Sequence, residues 1–423
     1  MRSRLLVLSI AAIALAACPS PPPPPAAQQP LKVTVTIAPD APVPDPAQAP
    51  ATSGILPSGV PDDVQVFDLG DVAIKDGASS DIFVDVKSGL GAMTVLVYGQ
   101  PSATVILSRA VDPDGTLVVS DVPLTDVPDS HLLFAQGFPS QVFSVNRVFG
   151  SLDSGAFLVP NTPSVAPQSG RWKLRVGQFS VDPNESPAHP QALDQPVHVV
   201  ILVKGQDTGK GSIDLNLHFT GANGLTAATA PSDALLSGAL DVVKQAYAQV
   251  HIDIGAIHYL DIDPSFQGVS LAAGRCSNGD LDRVVAQGQG DEPGLGLFFI
   301  DHFACIVDGV DRGSNIGGSA AGIPGEPWVQ GSSHAGVAVS VAFAAGDPTP
   351  LGVVMAHETG HFLGLYHDQE SNLGSDTITD EIDDTPSGAG AATNLMYFAA
   401  SDSTDLTEGQ GTVMRANPWV IAR

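Results

Sequence analysis

The chain has 423 residues, a formal net charge of −27 and a hydrophobic content of 43%. This length favours two folded units with flanking segments, and the apolar content is sufficient for sizeable cores. With 18 Lys and Arg against 45 Asp and Glu, the chain lacks the basic surface that nucleic-acid binding requires. Most of the acids are aspartates, which favour turns over helix interiors, so we expect a structure rich in strands and loops.

The first 18 residues have the layout of an export signal. Arg2 and Arg4 precede an apolar run over residues 5–17, which is too short to span a bilayer but suits the core of a signal peptide. The run ends in Leu-Ala-Ala-Cys at 15–18, which resembles a bacterial lipobox. This resemblance implies that Cys18 is acylated and anchors the protein to a membrane. Because no Asp stands at position 19, it implies the outer membrane of a Gram-negative bacterium. The alternative is a plain signal peptide with an incidental cysteine.

The rest of the chain divides into three parts by composition. Residues 19–62 are rich in Pro and Ala and predict an extended tether. Residues 63–208 show short alternating apolar runs between Gly, Pro, Asp and Ser, which predict an accessory antiparallel β-sandwich. In residues 209–423, strand patterns alternate with a helical pattern that Ser232 is predicted to cap, and they lead into a second helix at 351–363. We therefore expect a multidomain α+β protein whose C-terminal domain is a mixed sheet with helices packed on it.

Five residues of the second predicted helix and of the turn after it carry the chemistry: His357, Glu358, His361, Gly364 and His367. Histidines at i and i+4 share one face of a helix, so the first two imidazoles can point at one position. Gly364 permits the left-handed turn that returns His367 to the same ion. Three neutral imidazoles bind Zn²⁺ and leave a fourth position open, as catalytic sites do. Glu358 is predicted to act as the general base and acid.

The segment His-Glu-x-x-His-x-x-Gly-x-x-His is the zinc signature of the metzincins, and this chain resembles the pappalysin-like family among them. The acidic segment 380–386 and the segment 394–397 resemble that family's Asp-Thr-Pro segment and Met-turn. The resemblance covers about residues 210–423 and is strongest from 351 onward. It implies a metzincin-like catalytic domain with peptidase activity, in which Met396 lies beneath the zinc. Phe398 stands where many metzincins have a tyrosine.

Together these features predict an exported, lipid-anchored zinc endopeptidase that hydrolyses peptide bonds with a zinc-activated water. Two alternatives remain open at this point. One is a zinc hydrolase that acts on a non-peptide amide. The other is a surface lipoprotein whose sandwich binds a partner while the zinc domain is structural. Glu358 argues against the second alternative, because a purely structural zinc site does not need a general base.

The remaining cysteines and the acids near the motif give two further expectations. In an oxidising compartment, Cys276 and Cys305 are predicted to form a disulfide. Between Arg312 and Arg415 there are thirteen Asp or Glu residues and no Lys or Arg, and seven of the acids lie within 368–384. This density predicts bound calcium or a preference for basic peptide substrates, with a solvated acidic surface as the alternative. The residues of the predicted calcium loop are Asp376, Asp380, Asp383 and Asp384.

Overall fold

A computed structural model describes residues 29–50, 56–120, 144–180, 190–271, 279–307, 309–369, 379–399 and 402–422. The predicted signal with Cys18 lies outside these ranges, as do Cys276 and Asp376. Within the described ranges, no helix has both the length and the apolar character needed to cross a membrane. This part of the chain is α+β, with several sheets, mostly antiparallel pairing and few helices.

Thirteen strands between residues 32 and 205 form two antiparallel sheets. In chain order they are β1 (Lys32–Ile37), β2 (Val64–Val72), β3 (Ile74–Lys75), β4 (Ala78–Ser79), β5 (Ile82–Ser88), β6 (Leu90–Tyr98), β7 (Thr104–Val111), β8 (Leu117–Val119), β9 (Ser151–Leu152), β10 (Ser154–Val159), β11 (Gly170–Ser180), β12 (Gln191–Ala192) and β13 (Val197–Gly205). The smaller sheet has the order β10-β6-β13-β2, and the other nine strands form the larger sheet.

The four-stranded sheet is buried on both faces. Side chains alternate along a strand, so β6 presents two sets of residues. Met93, Val95 and Val97 belong to the buried cluster that also contains Trp172 of the larger sheet. Leu96 belongs instead to the cluster that includes the helices and strands after residue 211. This is why nearly every residue of β6 is buried, and it means that the sandwich and the C-terminal part share a core.

Residues 32–37 differ from the sequence prediction, which placed them in the tether. They form β1, which pairs antiparallel with β5 at the edge of the larger sheet. Val33, Val35 and Ile37 pack on the core, whereas the residues between them are exposed. The alternation is visible in the sequence, but it is short and stands between Pro-rich flanks, and its partner strand lies far away in sequence.

A mixed sheet dominates the C-terminal part. The elements are β14 (Gly211–Phe219), α1 (Ala234–Ala248), β15 (Ile252–Asp261), β16 (Gly268–Ser270), α2 (Leu281–Val285), β17 (Leu295–Ile300), β18 (His302–Ala304), β19 (Ile306–Val307), β20 (Val310–Asp311), β21 (Gly318–Ala320), β22 (Gly336–Ser340), α3 (Pro348–Phe362), α4 (Glu408–Ala416) and β23 (Ile421–Ala422). The sheet order is β15-β14-β17-β22-β21, with β23 paired to β14. The first four strands are parallel, and β21 runs antiparallel at the edge.

Two helices start at residues other than those predicted. The carboxylate of Asp233, rather than Ser232, caps α1 by accepting a backbone N–H of its first turn at 2.9 Å. Helix α3 begins at Pro348 rather than at Leu351, and Asp347 is its cap. The N–H groups of a first helical turn have no acceptor within the helix, so proline is tolerated there and can begin a helix instead of preceding it.

Helix α3 is fixed by direct packing against α1. The hydroxyl of Tyr247 donates to the carbonyl of Ala356 at 2.9 Å. A Cβ atom at Gly352 would lie 2.6 Å from the carbonyl oxygen of Ala239, so a side chain there would force the two helices apart. These contacts set the position of α3, which carries two of the three histidines of the motif.

Candidate metal centre

The end of α3 and the turn after it bring the three motif histidines together. His357 and His361 lie on the last two turns of the helix. Gly364 then adopts a φ of +109°, and its N–H donates to the carbonyl of His361 at 2.9 Å. Side chains are strained at such angles, so glycine permits the reversal. After this reversal the chain places His367 beside His361.

The imidazoles form one compact group. The ligand atoms of His357, His361 and His367 all lie within 4.8 Å of one another, and the Nε2 atoms of the last two are 3.1 Å apart. Nδ1 of His357 is 2.7 Å from the carbonyl oxygen of Leu395, and Nδ1 of His361 is 2.7 Å from that of Leu365. Because a carbonyl only accepts hydrogen bonds, both Nδ1 atoms carry the proton, and each Nε2 keeps a lone pair for a metal.

Burial keeps the two histidines of α3 in the form that binds metal. Burial lowers the pKa of His357 to about 3, and the proximity of His367 acts in the same direction. Burial also lowers the pKa of His361 well below its ordinary value, as do its two neighbouring imidazoles. A metal ion requires neutral imidazoles, and a set of three such donors fits Zn²⁺. In the described part of the chain, no other group of three His, Cys, Asp or Glu side chains is placed to hold a metal.

Glu358 lies half-buried beside this group. Its Oε2 accepts the backbone N–H of Ala320, on the edge strand β21, at 2.9 Å. A Cβ atom at Gly318 of the same strand would lie 2.5 Å from Cγ of Glu358, so the strand and the carboxylate are in close contact. Burial raises the pKa of Glu358 to about 7, although His367 and the Ala320 N–H oppose this shift. A carboxyl group with a pKa near neutrality is suited to transfer protons in both directions.

Met396 packs against the helix that carries the histidines. A Cβ atom at Gly360 would lie only 2.8 Å from Sδ of Met396, whose side chain is fully buried. The backbone N–H of Met396 donates to Oδ1 of Asn394 at 2.9 Å. The side-chain amides of Asn394 and Gln410 in turn exchange two hydrogen bonds of 2.9 Å. This network fixes Met396 beneath α3.

A cleft of about 740 Å³ opens over the histidines and Glu358. Its walls include β21 with the loop that follows it, residues around Tyr397 and Phe398, and residues 149–156 of the sandwich. The rings of Tyr397 and Phe398 are 4.5 Å apart between centroids. No active-site residue was predicted before position 209, so the wall at 149–156 was not foreseen from the sequence.

The predicted calcium loop lies partly within the described residues. The carboxylate of Asp384 accepts a hydroxyl and a backbone N–H from the start of α4, at 2.8 and 3.0 Å. Burial raises the pKa of Asp380 to about 8. Asp383 is exposed, and Asp376 is outside the described residues. Asp384 therefore already has protein partners, whereas the environment of Asp380 holds its pKa above the ordinary value.

One cysteine of the predicted disulfide, Cys305, lies within the described residues. Cys305 is disulfide-bonded, and its side chain is buried. Cys276, its predicted partner, lies outside the described residues. The pairing of these two cysteines therefore stays a prediction.

Two side chains near the cleft belong to no sequence motif. His334 lines the cleft, and its Nδ1 is 3.1 Å from the hydroxyl of Ser154 and 2.9 Å from that of Ser333. Arg147 is fully buried and forms an ion pair with Glu381 at 2.6 Å. In the sequence, residues 130–152 contain no Asp or Glu, and Arg147 is their single Lys or Arg. This isolated charge is the sequence feature that could have drawn attention to Arg147.

Comparison with known proteins finds distant structural likenesses. The chain is similar to the crystal structure of metalloproteinase-II from Bacteroides fragilis, with a TM-score of 0.32 and 12% identity over 57% of this chain and 65% of that one. It is also similar to two structures of a family two carbohydrate esterase from Clostridium thermocellum, with a TM-score of 0.16 and identities of 8% and 7% over 56% of this chain and 65% of those. The chain thus spans less than two thirds of each structure, and these TM-scores are too low to establish a shared fold. No protein-family model and no curated protein matches the chain.

Proposed function

We propose that this protein is an exported, lipid-anchored zinc endopeptidase of the pappalysin-like metzincin type. The observation that carries the proposal is that three imidazoles and the carboxylate of Glu358 meet in one open cleft. The two histidines on α3 have their Nδ1 atoms bonded to carbonyls, which is the usual arrangement of metal-ligating histidines. A structural site would not require the adjacent carboxylate.

The roles of the residues follow from this arrangement. A zinc ion held by His357, His361 and His367 supplies Lewis acidity that activates water and polarises the scissile carbonyl. Glu358 takes the proton of the attacking water and delivers it to the leaving amine. The N–H of Ala320 holds the carboxylate in place, and burial gives it a pKa suited to both steps.

The edge of the mixed sheet suits an extended peptide. Among the described strands, β21 pairs only with β22, and residues 318–320 line the cleft. An extended peptide can bind such an edge by adding a strand to the sheet. The excess of acids between Arg312 and Arg415 raises the local concentration of basic peptides, so we propose a preference for Lys or Arg near the scissile bond.

Metal content and peptide profiling of the purified full chain test the proposal. We expect one zinc ion per chain and cleavage of a peptide library, with Lys or Arg enriched near the cut. A chain without zinc would refute the proposal. Zinc binding with hydrolysis of non-peptide amides alone would assign a different substrate class. Selection of acidic or purely apolar peptides would contradict the proposed charge preference.

The lipid anchor is tested by Cys18→Ser. Without the thiol there is no acylation site, so we expect the protein to leave the membrane fraction and to lose labelling by a radioactive fatty acid. Ser20→Ala, two residues further on, is the matched control and should keep both properties. Membrane partitioning of Cys18→Ser equal to that of the unaltered protein would contradict the anchor.

Calcium is proposed to stabilise the 368–386 loop by ionising Asp380. A ligand at about 100 times its Kd stabilises the folded state by about 2.7 kcal/mol, so calcium should raise the Tm measurably. A calcium-selective chelator should reverse this increase while zinc stays bound. Asp380→Asn should abolish the response, whereas the exposed Asp253→Asn should preserve it. An equal calcium response in Asp380→Asn would rule out this residue as a ligand.

A further inference from the structure

Arg147 connects the sandwich to the segment that carries the third histidine. Its side chain is fully buried, and its Nε donates to Oε1 of Glu381 at 2.6 Å. One of its terminal nitrogens donates to the carbonyl of Thr379. The guanidinium carbon also lies 5.0 Å from the ring centre of Tyr366. Tyr366 directly precedes His367, and Thr379 and Glu381 follow it, so one side chain contacts the chain on both sides of the ligand.

Other residues reinforce these contacts. The ring of Phe149 meets that of Tyr366 edge-on, with 4.9 Å between centroids. The hydroxyl of Tyr366 donates to the carbonyl of Ile323, in the cleft wall, at 3.3 Å. The hydroxyl of Thr162 donates to the carbonyl of Glu381 at 2.6 Å. Phe149 and Thr162 belong to the sandwich, as Arg147 does. The sandwich therefore contacts the chain both before and after His367.

We propose that Arg147 is a positioning residue for His367, so that the sandwich supports the metal centre. This inference rests on the proposed function. The backbone of α3 fixes His357 and His361, whereas His367 lies on an irregular segment whose position depends on its neighbours. Removal of a group that orients a metal ligand without binding the metal itself typically weakens metal affinity by about 10–100-fold.

The chemistry of arginine suits this task better than that of lysine. A planar guanidinium can donate to a carboxylate and a carbonyl while its face rests on an aromatic ring. All three contacts are present at Arg147. An ammonium group is a point charge and cannot stack on Tyr366 in this way, so Arg147→Lys should restore only part of the function.

Lys204 provides a matched control. It is also a buried cation of the sandwich, and its Nζ donates to the carbonyls of Arg415, Asn417 and Val420. These carbonyls belong to the end of α4 and the segment after it, away from the segment 366–381. A purely structural role for Arg147 predicts that the two cations behave alike. A positioning role predicts that only Arg147 affects the metal.

The test measures zinc affinity by chelator competition and the absorption spectrum of the Co²⁺-loaded full chain. For Arg147→Met we expect a Kd for zinc that is about 10–100-fold higher, together with a changed Co²⁺ spectrum. Arg147→Lys should lie between Arg147→Met and the unaltered chain. Lys204→Met should lower the Tm without changing the Kd or the spectrum.

Several outcomes would overturn the inference. An unchanged Kd in Arg147→Met, or an equal increase in Lys204→Met, would show that Arg147 only stabilises the fold. If Arg147→Met does not fold, Glu381→Gln removes the charge of the partner and should still raise the Kd, and an unchanged value there would refute the role. Failure of the unaltered chain to bind zinc would instead refute the proposed function.

Discussion

Glu358→Gln is expected to retain the fold and the bound zinc while lowering kcat by about 10²–10⁴-fold, the usual contribution of a general base. The amide has the shape of the carboxylate, and its oxygen can still accept the N–H of Ala320. It cannot take a proton from water at neutral pH. Zinc analysis, circular dichroism and turnover of a cleaved peptide together measure the effect.

Glu326→Gln is the matched control for this variant. Glu326 is completely buried, and its carboxylate lies 4.0 Å from Nδ1 of His334 instead of beside the three motif histidines. Replacement of a carboxyl group by an amide is common to both variants, whereas removal of the proton acceptor beside the motif histidines is specific to Glu358→Gln. Near-normal turnover in Glu358→Gln, or an equal loss in Glu326→Gln, would exclude Glu358 as the base.

The pH dependence of turnover follows from the same carboxyl group. Burial raises the pKa of Glu358 to about 7, and only the ionised form can accept a proton. A positive metal ion at the imidazoles favours ionisation, so it moves this pKa downward. We therefore expect kcat/KM to rise with pH with a midpoint below about 7, and the residual activity of Glu358→Gln to lack this limb.

The grouping of the three motif histidines could be predicted from sequence because its geometry is local. His357 and His361 share a face through helical spacing alone, and Gly364 lies only three residues beyond. The structure places all three histidines in one group, with the positive φ at Gly364 that the turn requires. The general α+β class was predictable for the same reason, because periods of two and of 3.6 residues are visible within short windows.

The contacts around this histidine group could not be predicted in this way. Arg147 and Glu381 are separated by 234 positions, and no local pattern marks them as partners. The strand at 32–37 was missed because its register with β5 depends on residues about 50 positions away. The burial of both faces of β6 also depends on the helices and strands after residue 211, which pack on its second face. The residue pattern of β6 alone does not reveal this packing.

His367→Ala is expected to abolish zinc binding at physiological zinc concentrations and to abolish turnover with it. Zinc binding to protein sites is worth about 10–16 kcal/mol where it has been measured, so loss of one of three ligands should weaken affinity by about 10²–10⁴-fold. His367 lies outside α3, and its Nε2 is 3.1 Å from that of His361. The buried core beneath α3 does not depend on this side chain, so the fold should persist.

His334→Ala is the matched control for this experiment, with zinc content as the measurement. His334 lines the same cleft but does not belong to the histidine group, so its removal should leave one zinc ion per chain. Full zinc occupancy in His367→Ala would show that the third ligand is misassigned. His367→Ala should lose metal and turnover together, whereas Glu358→Gln should lose turnover alone. A purely structural zinc site cannot produce that difference, and a hydrolase must.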